Sequence, residues 1–397
     1  MRNFLLLFGM FVFANSNAQR TCINYSSPVS KVIKNYASRD TGFNEIITIP
    51  VVVHVVYNTA IQNISDEQIN SQISSLNKDF SLQNQNAASI PAPFKQFAAD
   101  VKIQFVLAKV DPLGRPTTGI IRKSTTKTSF SPDDAVKFSG AGGSDVWDPN
   151  KYLNFWVCNL GGNNLGYASV PGSSPDRDGV VIAYNVFGTV GTLRAPFDKG
   201  RTATHEVGHW MGLKHIWGDT NCGTDDVDDT PRQKSFHYGI PVFPQLSECS
   251  ENGNGDMFMN YMDLTDDACM SMFTNGQKRK MRSVFAAGGY RNEMLNSTAL
   301  AQTTEAAPLP STVEVATQEE SFAISIYPNP VSNILNIEFK NSEKIENIPA
   351  HIYNQLGVQV YKGILNNSKN TINISNLNPG FYVLRIGKNK AFKIVKN

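Results

Sequence analysis

Histidine is scarce in this sequence, six in 397 residues, and cysteine is scarcer, at five. An odd number of cysteines leaves at least one unpaired or paired outside the chain. Neither sign of charge dominates, since 36 Lys and Arg stand against 34 Asp and Glu for a net charge of +2. That balance gives no argument for a nucleic acid or an anionic membrane surface as partner. No apolar run reaches the roughly 18 residues that read as a membrane-spanning helix, so no transmembrane segment is expected. What remains is an ordinary soluble composition, 41% hydrophobic and 18% charged. The length suggests two or three domains with at least one good core.

What is present starts at the N-terminus. Met1-Arg2-Asn3 leads an apolar run from Phe4 to Phe13, followed by Ser16-Asn17-Ala18. A short basic head, a hydrophobic middle and small residues ahead of a cut predict a secretory signal peptide over 1–18. Export makes disulfides available. Residues 19–45 are polar, weakly patterned and contain Arg20-Thr21-Cys22; they are a candidate pro-segment.

Three of the six histidines fall within Thr204-His205-Glu206-Val207-Gly208-His209-Trp210-Met211-Gly212-Leu213-Lys214-His215. Residues four apart share a helix face, so His205 and His209 can present two imidazole nitrogens to one metal ion. Gly212 lets the backbone leave the helix with positive φ, which brings His215 back as a third ligand. Three nitrogen ligands and an open fourth position describe a catalytic zinc site rather than a closed structural one. Such a site makes a water acidic enough to ionise near neutral pH. Glu206, beside the first ligand, can take that proton and pass it to a leaving amine. The chemistry this suits is amide hydrolysis without a covalent intermediate.

The rest of the chain gives a frame. Ile49–Tyr57 is almost entirely β-branched or aromatic and predicts a strand buried on both faces, with His54 a satisfied core histidine. Ser65 and Gln68 predict a capping box opening a helix through Ile69, Ile73, Leu76 and Phe80. Strands are predicted over Val101–Ala108, Tyr152–Cys158 and Gly179–Tyr184. Together these predict an α+β fold, a mixed sheet with helices on one side. Between Trp217 and Asn260 no clean period exists, which predicts a loop-rich lower subdomain. Thr274 and Gln277 predict a second capping box, opening a helix stopped by Gly288-Gly289. Residues 296–321 are Ala, Thr, Pro, Ser and Glu, a linker composition. Residues 322–397 are short alternating runs such as Ile334–Phe339 and Phe381–Ile386, which predict a small β-sandwich. The expected organisation is therefore 1–18 signal peptide, 19–45 pro-segment, 46–295 catalytic domain, 296–321 linker and 322–397 sandwich.

The pattern from His205 to His215 is that of the metzincin metallopeptidases. With Thr202-Ala203-Thr204, His215-Ile216-Trp217-Gly218-Asp219, Asn260-Tyr261-Met262-Asp263 and Asp266-Asp267-Ala268-Cys269-Met270, residues 45–295 resemble the pappalysin family, in particular its cytophagalysin-like members. The resemblance implies a secreted zinc-dependent endopeptidase acting on proteins or peptides in a cleft between two subdomains. It implies that Met262 lies in a tight turn beneath the zinc, and that Cys222 and Cys249 form a disulfide. The family's usual partner region for Cys269 reads Tyr238-Gly239-Ile240-Pro241 here, with no cysteine, so Cys269 stays free or finds Cys158. The resemblance also implies calcium near Asp225, Asp226, Asp228, Asp229 and Thr230, oxygen ligands of the kind calcium takes. Cys22 is the candidate pro-segment ligand that blocks the zinc, to be removed by a cut before Ile46. One departure stands out: the family often has a tyrosine two residues after the turn methionine, and here that position is Leu264. Leu264 is the one support for a second reading, a surface-attached binding or adhesion protein with an inactive metzincin domain. Chelator-sensitive cleavage of casein or gelatin separates the two.

The C-terminal stretch has its own resemblance. Ile326-Tyr327-Pro328-Asn329-Pro330, then Leu335-Asn336-Ile337, Gly380-Phe381-Tyr382 and Lys393-Ile394-Val395-Lys396, is similar to the sorting domain of the type IX secretion system. That implies export by that machinery and release or attachment at the cell surface.

Overall fold

Eleven residues, Ile47–Tyr57, form one strand in which Ile49 through Val56 are all buried. This strand is the spine of the first of two compact units, Met1–Ala307 and Pro308–Asn397. The computed structural model describes residues 21–22, 45–250, 253–301, 323–340, 348–354, 359–386 and 390–397. The expected signal peptide, nearly all of the pro-segment, and residues 302–321 of the expected linker lie outside the described residues.

The first unit contains strands β1 (Thr21–Cys22), β2 (Ile47–Tyr57), β3 (Ile103–Leu107), β4 (Ile120–Ser124), β5 (Leu153–Cys158), β6 (Asn164–Ala168) and β7 (Val180–Ala183). Its helices are α1 (Asp66–Phe80), α2 (Ala92–Lys95), α3 (Arg201–Trp210) and α4 (Asn275–Ser283). The strands make one seven-stranded sheet in the order β1-β6-β7-β5-β2-β3, with β4 also on β2. The two partners share one edge of β2: β3 pairs with residues 47–51 and β4 with 53–57. The β6–β7 pair is antiparallel and the others are parallel, so the sheet is mixed as expected. α1 packs on β3 and on α3, and α3 packs on β6 and β7.

Sequence pattern explains most of this. Ile69, Leu76 and Phe80 recur on one face of α1 and are buried with the inward residues of β2. His54 is a core histidine: its ring nitrogens meet Ser144 Oγ at 2.9 Å and Asn154 Oδ1 at 3.1 Å, and burial lowers its pKa to about 4. Two differences have physical reasons. The box at Ser65 is half formed: Ser65 Oγ accepts the Gln68 N–H. The Gln68 side-chain amide instead donates to the carbonyls of Tyr184 and Phe187, tying α1 to the chain after β7. The strand expected from Val101 begins only at Ile103, because Lys102 has a φ of 60°. The second box, Thr274 with Gln277, is complete.

The chain stays packed beyond residue 295. Ala299 is buried with Val52, Ala108 and Tyr152, and its carbonyl accepts the Lys109 N–H at 2.8 Å.

The second unit holds β8 (Ala323–Tyr327), β9 (Ile334–Lys340), β10 (Ile348–Asn354), β11 (Gln359–Leu365), β12 (Lys369–Asn373), β13 (Gly380–Ile386) and β14 (Lys390–Lys396). They form two antiparallel sheets, β11-β10-β13-β14 and β12-β9-β8. Leu335, Ile337 and Phe339 of β9 share one core with Tyr382, Leu384 and Ile386 of β13. Strict alternation puts their neighbours Phe381 and Val383 outside. This is the small β-sandwich that the alternating runs predict. Among the described residues no helix is long and apolar enough to cross a membrane.

Candidate active site

α3 is held at its start by residues far away in sequence. Gly200, before the first turn, has φ 74° and supplies no side-chain cap. Asp267 supplies it instead: its Oδ2 accepts the backbone N–H of Lys199 at 2.8 Å and of Arg201 at 3.2 Å. A carboxylate there also suits the positive end of the helix dipole. From α1, buried Asp79 pairs with Arg201 and accepts a hydrogen bond from Thr204 Oγ1 at 2.6 Å.

His205 and His209 lie one turn apart on α3. The helix stops after Trp210, and Gly212, with φ 90°, turns the chain. The Leu213 N–H bonds back to the Gly208 carbonyl at 3.0 Å. His215 then returns to the other two. Its Nε2 lies 3.2 Å from His209 Nε2, which lies 3.1 Å from His205 Nε2. Tetrahedral zinc with Zn–N bonds of 2.0–2.1 Å needs ligand nitrogens about 3.3 Å apart. The three buried atoms therefore fit one ion.

The other ring nitrogens fix the tautomers. His205 Nδ1 donates to the Tyr261 carbonyl at 2.7 Å, His209 Nδ1 to the Leu213 carbonyl at 2.9 Å, and His215 Nδ1 to Asp219 Oδ1 at 2.6 Å. Each Nε2 is thereby left with its lone pair facing the common centre. Burial, with His215 close by, lowers the His209 pKa to about 3.

Met262 lies beneath this helix. A Cβ on Gly208 would come within 2.5 Å of Met262 Sδ, so only glycine allows the methionine this close. The turn is shaped by Asn260, whose Oδ1 accepts the Met262 N–H at 2.9 Å. The Met262 carbonyl accepts the Ile216 N–H at 3.2 Å. Tyr261 points away, its ring 4.7 Å from Phe273 and 5.5 Å from the Arg201 guanidinium. Leu264 is buried in the apolar core. Glu206 is buried on α3.

Cys222 and Cys249 are joined, with Cα atoms 5.6 Å apart. Cys158 and Cys269 are both free thiols. Burial pushes the Cys269 pKa up to about 12 and that of Cys158 higher still, so neither is a ready nucleophile. The acidic loop is partly committed. Asp226 pairs with Lys214 at 2.8 Å, and Asp229 accepts Thr274 Oγ1 and the Gly276 N–H at the start of α4. Asp225 is buried; its Oδ1 accepts from Thr230, and burial raises its pKa to about 7.

Several functional neighbours have no assigned role in the sequence pattern. Asp219 stands four residues after His215, a spacing that could have pointed to it. Asp79 and Asp267 carry no such signal. Nor does His237, whose Nδ1 and Nε2 meet Asp263 Oδ2 at 2.8 Å and Asp256 Oδ2 at 3.3 Å.

Known proteins resemble this arrangement. The family described as pregnancy-associated plasma protein-A matches residues 141–286, and the secretion system C-terminal sorting domain matches 325–397. An extracellular metalloprotease of Pyricularia oryzae is 33% identical over 253 residues, covering 60% of this chain and 75% of the relative. One from Podospora anserina is 32% identical over 286 residues, covering 69% and 83%. The structure of mature mirolysin from Tannerella forsythia with a cleaved peptide is 52% identical, with TM-score 0.62, covering 63% of this chain and 96% of that one. A promirolysin mutant from the same organism is 51% identical, with TM-score 0.63, covering 64% and 85%.

The chain belongs to the pappalysin family of metallopeptidases. It is a zinc metalloendopeptidase, acting on peptide substrates, secreted or attached to the cell surface, with a secretion sorting domain at its C-terminal end. As a member of this family, the protein has the metzincin-type catalytic fold that the motif predicts.

Proposed function

We propose that His205, His209 and His215 hold the catalytic zinc through Nε2 and that Glu206 is the general base. The observation that carries this reading is the convergence of three buried Nε2 atoms, each imidazole oriented through its other nitrogen. When bound, the ion supplies Lewis acidity, lowering the pKa of a water to roughly 7 and polarising the scissile carbonyl. Glu206 takes the water's proton on its carboxylate and hands it to the leaving amide nitrogen. Met262 supports α3 from below. Leu264 offers no hydroxyl, so this chain does without a tyrosine donor to the reacting carbonyl at that position. The test is Glu206→Gln and His209→Ala. The first should keep zinc and lose casein cleavage; the second should lose both. Near-parental cleavage by the first would overturn the assignment.

The finer parts of the reading are these. Residues 1–18 are a signal peptide, 19–45 a pro-segment ending before Ile46, and 322–397 the domain that engages the type IX secretion machinery. Cys22 keeps the precursor latent; its support is that β1, at the edge of the sheet, pairs with β6 and sets Cys22 opposite Gly166. A Cβ on Gly166 would sit 3.1 Å from Glu206 Cγ, so this register is next to the base. A calcium ion at the acidic loop would draw on Asp225, Asp228, Thr230 and backbone carbonyls, with Asp226 and Asp229 already engaged. Its support is Asp225 Oδ2, buried without a hydrogen-bond donor. Calcium titration followed by thermal unfolding tests it.

A further inference from the structure

Aromatic rings lead outward from one of the three histidines. The Trp217 indole stacks on His215, with centroids 4.1 Å apart and planes 10° from parallel. Trp217 is itself nearly covered. Phe236 meets it edge-on at 5.4 Å, and Tyr238 meets Phe236 at 4.8 Å. Phe236 keeps 39% of its surface exposed. Further along the same segment, Ile240 is 64% exposed and Val242 82%. The exposed Phe236 ring is thus continuous, ring on ring, with His215 through Trp217.

The segment is held in place rather than draped over the surface. The His237 N–H donates to Asp263 Oδ1 at 2.7 Å, and the His237 ring lies between Asp256 and Asp263. On the other side of Phe236, Gln233 Nε2 donates to Asp263 Oδ2 at 2.8 Å. Asp263 directly follows Met262, so the segment is registered to the turn beneath α3. A ring carried on backbone fixed at both flanks makes a preformed wall.

We propose that Phe236, backed by Trp217, walls an apolar subsite that receives an aromatic or large aliphatic side chain of the substrate. The two ring steps span less than about 10 Å from His215, and an extended peptide advances about 3.3 Å per residue. The side chain read is therefore within about three residues of the scissile bond. This inference rests on the zinc-site reading above, and it adds a specificity-determining residue to it.

The test is a cleavage profile of the mature enzyme on a peptide library varied at the three positions on each side of the cut. One of those positions should be enriched in aromatic or large aliphatic residues. Phe236→Ala should lower kcat/KM about tenfold on the enriched peptides, and less than about twofold on peptides with alanine there. Phe236→Leu should recover most of the loss. Retained zinc and unchanged cleavage of the alanine peptides show that the variant is folded. The inference is overturned if no such position is enriched, or if both peptide classes lose equally. A parent enzyme that cleaves no peptide would remove the zinc-site reading itself and this inference with it.

Discussion

Asp79 and Arg201 form a buried ion pair that joins the last turn of α1 to the first turn of α3. The same carboxylate accepts the Thr204 hydroxyl, one residue before His205. The Arg201 guanidinium in turn lies over the Tyr261 ring, next to the methionine in the turn. One buried anion thus ties the packing helix to the helix that carries the metal-binding motif.

Removing that anion strands a buried guanidinium. Breaking a buried pair from one side costs about 3–5 kcal/mol, more than the pair is worth against an apolar replacement. Asp79→Ala should therefore lower unfolding stability by that amount in denaturant titrations of the zinc-loaded protein. A loss under about 1 kcal/mol would mean that Arg201 finds water or another partner, of the kind an exposed pair leaves behind.

The Nδ1 atoms of His205 and His209 meet the carbonyls of Tyr261 and Leu213, whereas that of His215 meets a side chain, Asp219. It can be deleted without touching the backbone. Partners of this kind are worth about 10–100-fold in metal affinity. Asp219→Ala should weaken zinc by that factor in competition with a chromophoric chelator, while hydrolysis at saturating zinc falls much less. Unchanged affinity would show that His215 is oriented by its Trp217 stack alone.

The motif and the scaffold were unequally legible. His205, His209 and His215 are close in the chain, so helix geometry and one glycine were enough to bring them together on paper. β2, α1 and the sandwich strands were legible because each buries a regular face. β4 and β6 were not: Ile120–Ser124 is half polar, and Asn164–Ala168 contains a glycine and is only five residues long. β6 takes its place from pairing with β7 rather than from its own pattern. Asp79, Asp267 and His237 act across 60 residues or more or through loops without a period, so nothing local announces them. Gln68 shows the converse: its local signal was real, and a tertiary partner took the side chain away.

His237 gives a pH prediction. Burial opposes its charge, but hydrogen bonds to Asp256 and Asp263 outweigh that and raise its pKa from the ordinary 6.5 to about 9. The folded value is above the unfolded one, so the protonated ring stabilises the fold fully below about pH 6.5. That contribution is lost as pH rises through about 9. The Tm difference between the parent and His237→Gln, measured with zinc held saturating, should be largest near pH 6 and smallest above pH 9. A difference that stays constant across that range would rule out a charged His237 between the two carboxylates.

The last prediction concerns Cys22. β6 is next to the edge of the sheet, and its outer side is taken by β1, running parallel, with Cys22 paired to Gly166. On its other side β6 pairs with β7, and α3 packs across both. A thiol carried on that strand would be available to a zinc ion with an open fourth position, which takes thiolate as a ligand. Water would be displaced and the base would have nothing to deprotonate. Two effects can be separated by substitution. If the strand alone blocks the cleft, Cys22→Ala should leave the precursor as slow as the parent. If the thiolate is the block, the Cys22→Ala precursor, made without residues 1–18, should cleave casein or its own pro-segment with a much shorter lag. Cys22→Ser, which keeps the size but loses the soft ligand, should behave like the alanine variant. The mature enzyme, cut before Ile46, should be indifferent to the substitution. Equal lags for the parent and both variants would end the thiolate account and leave the β1–β6 pairing as the only barrier.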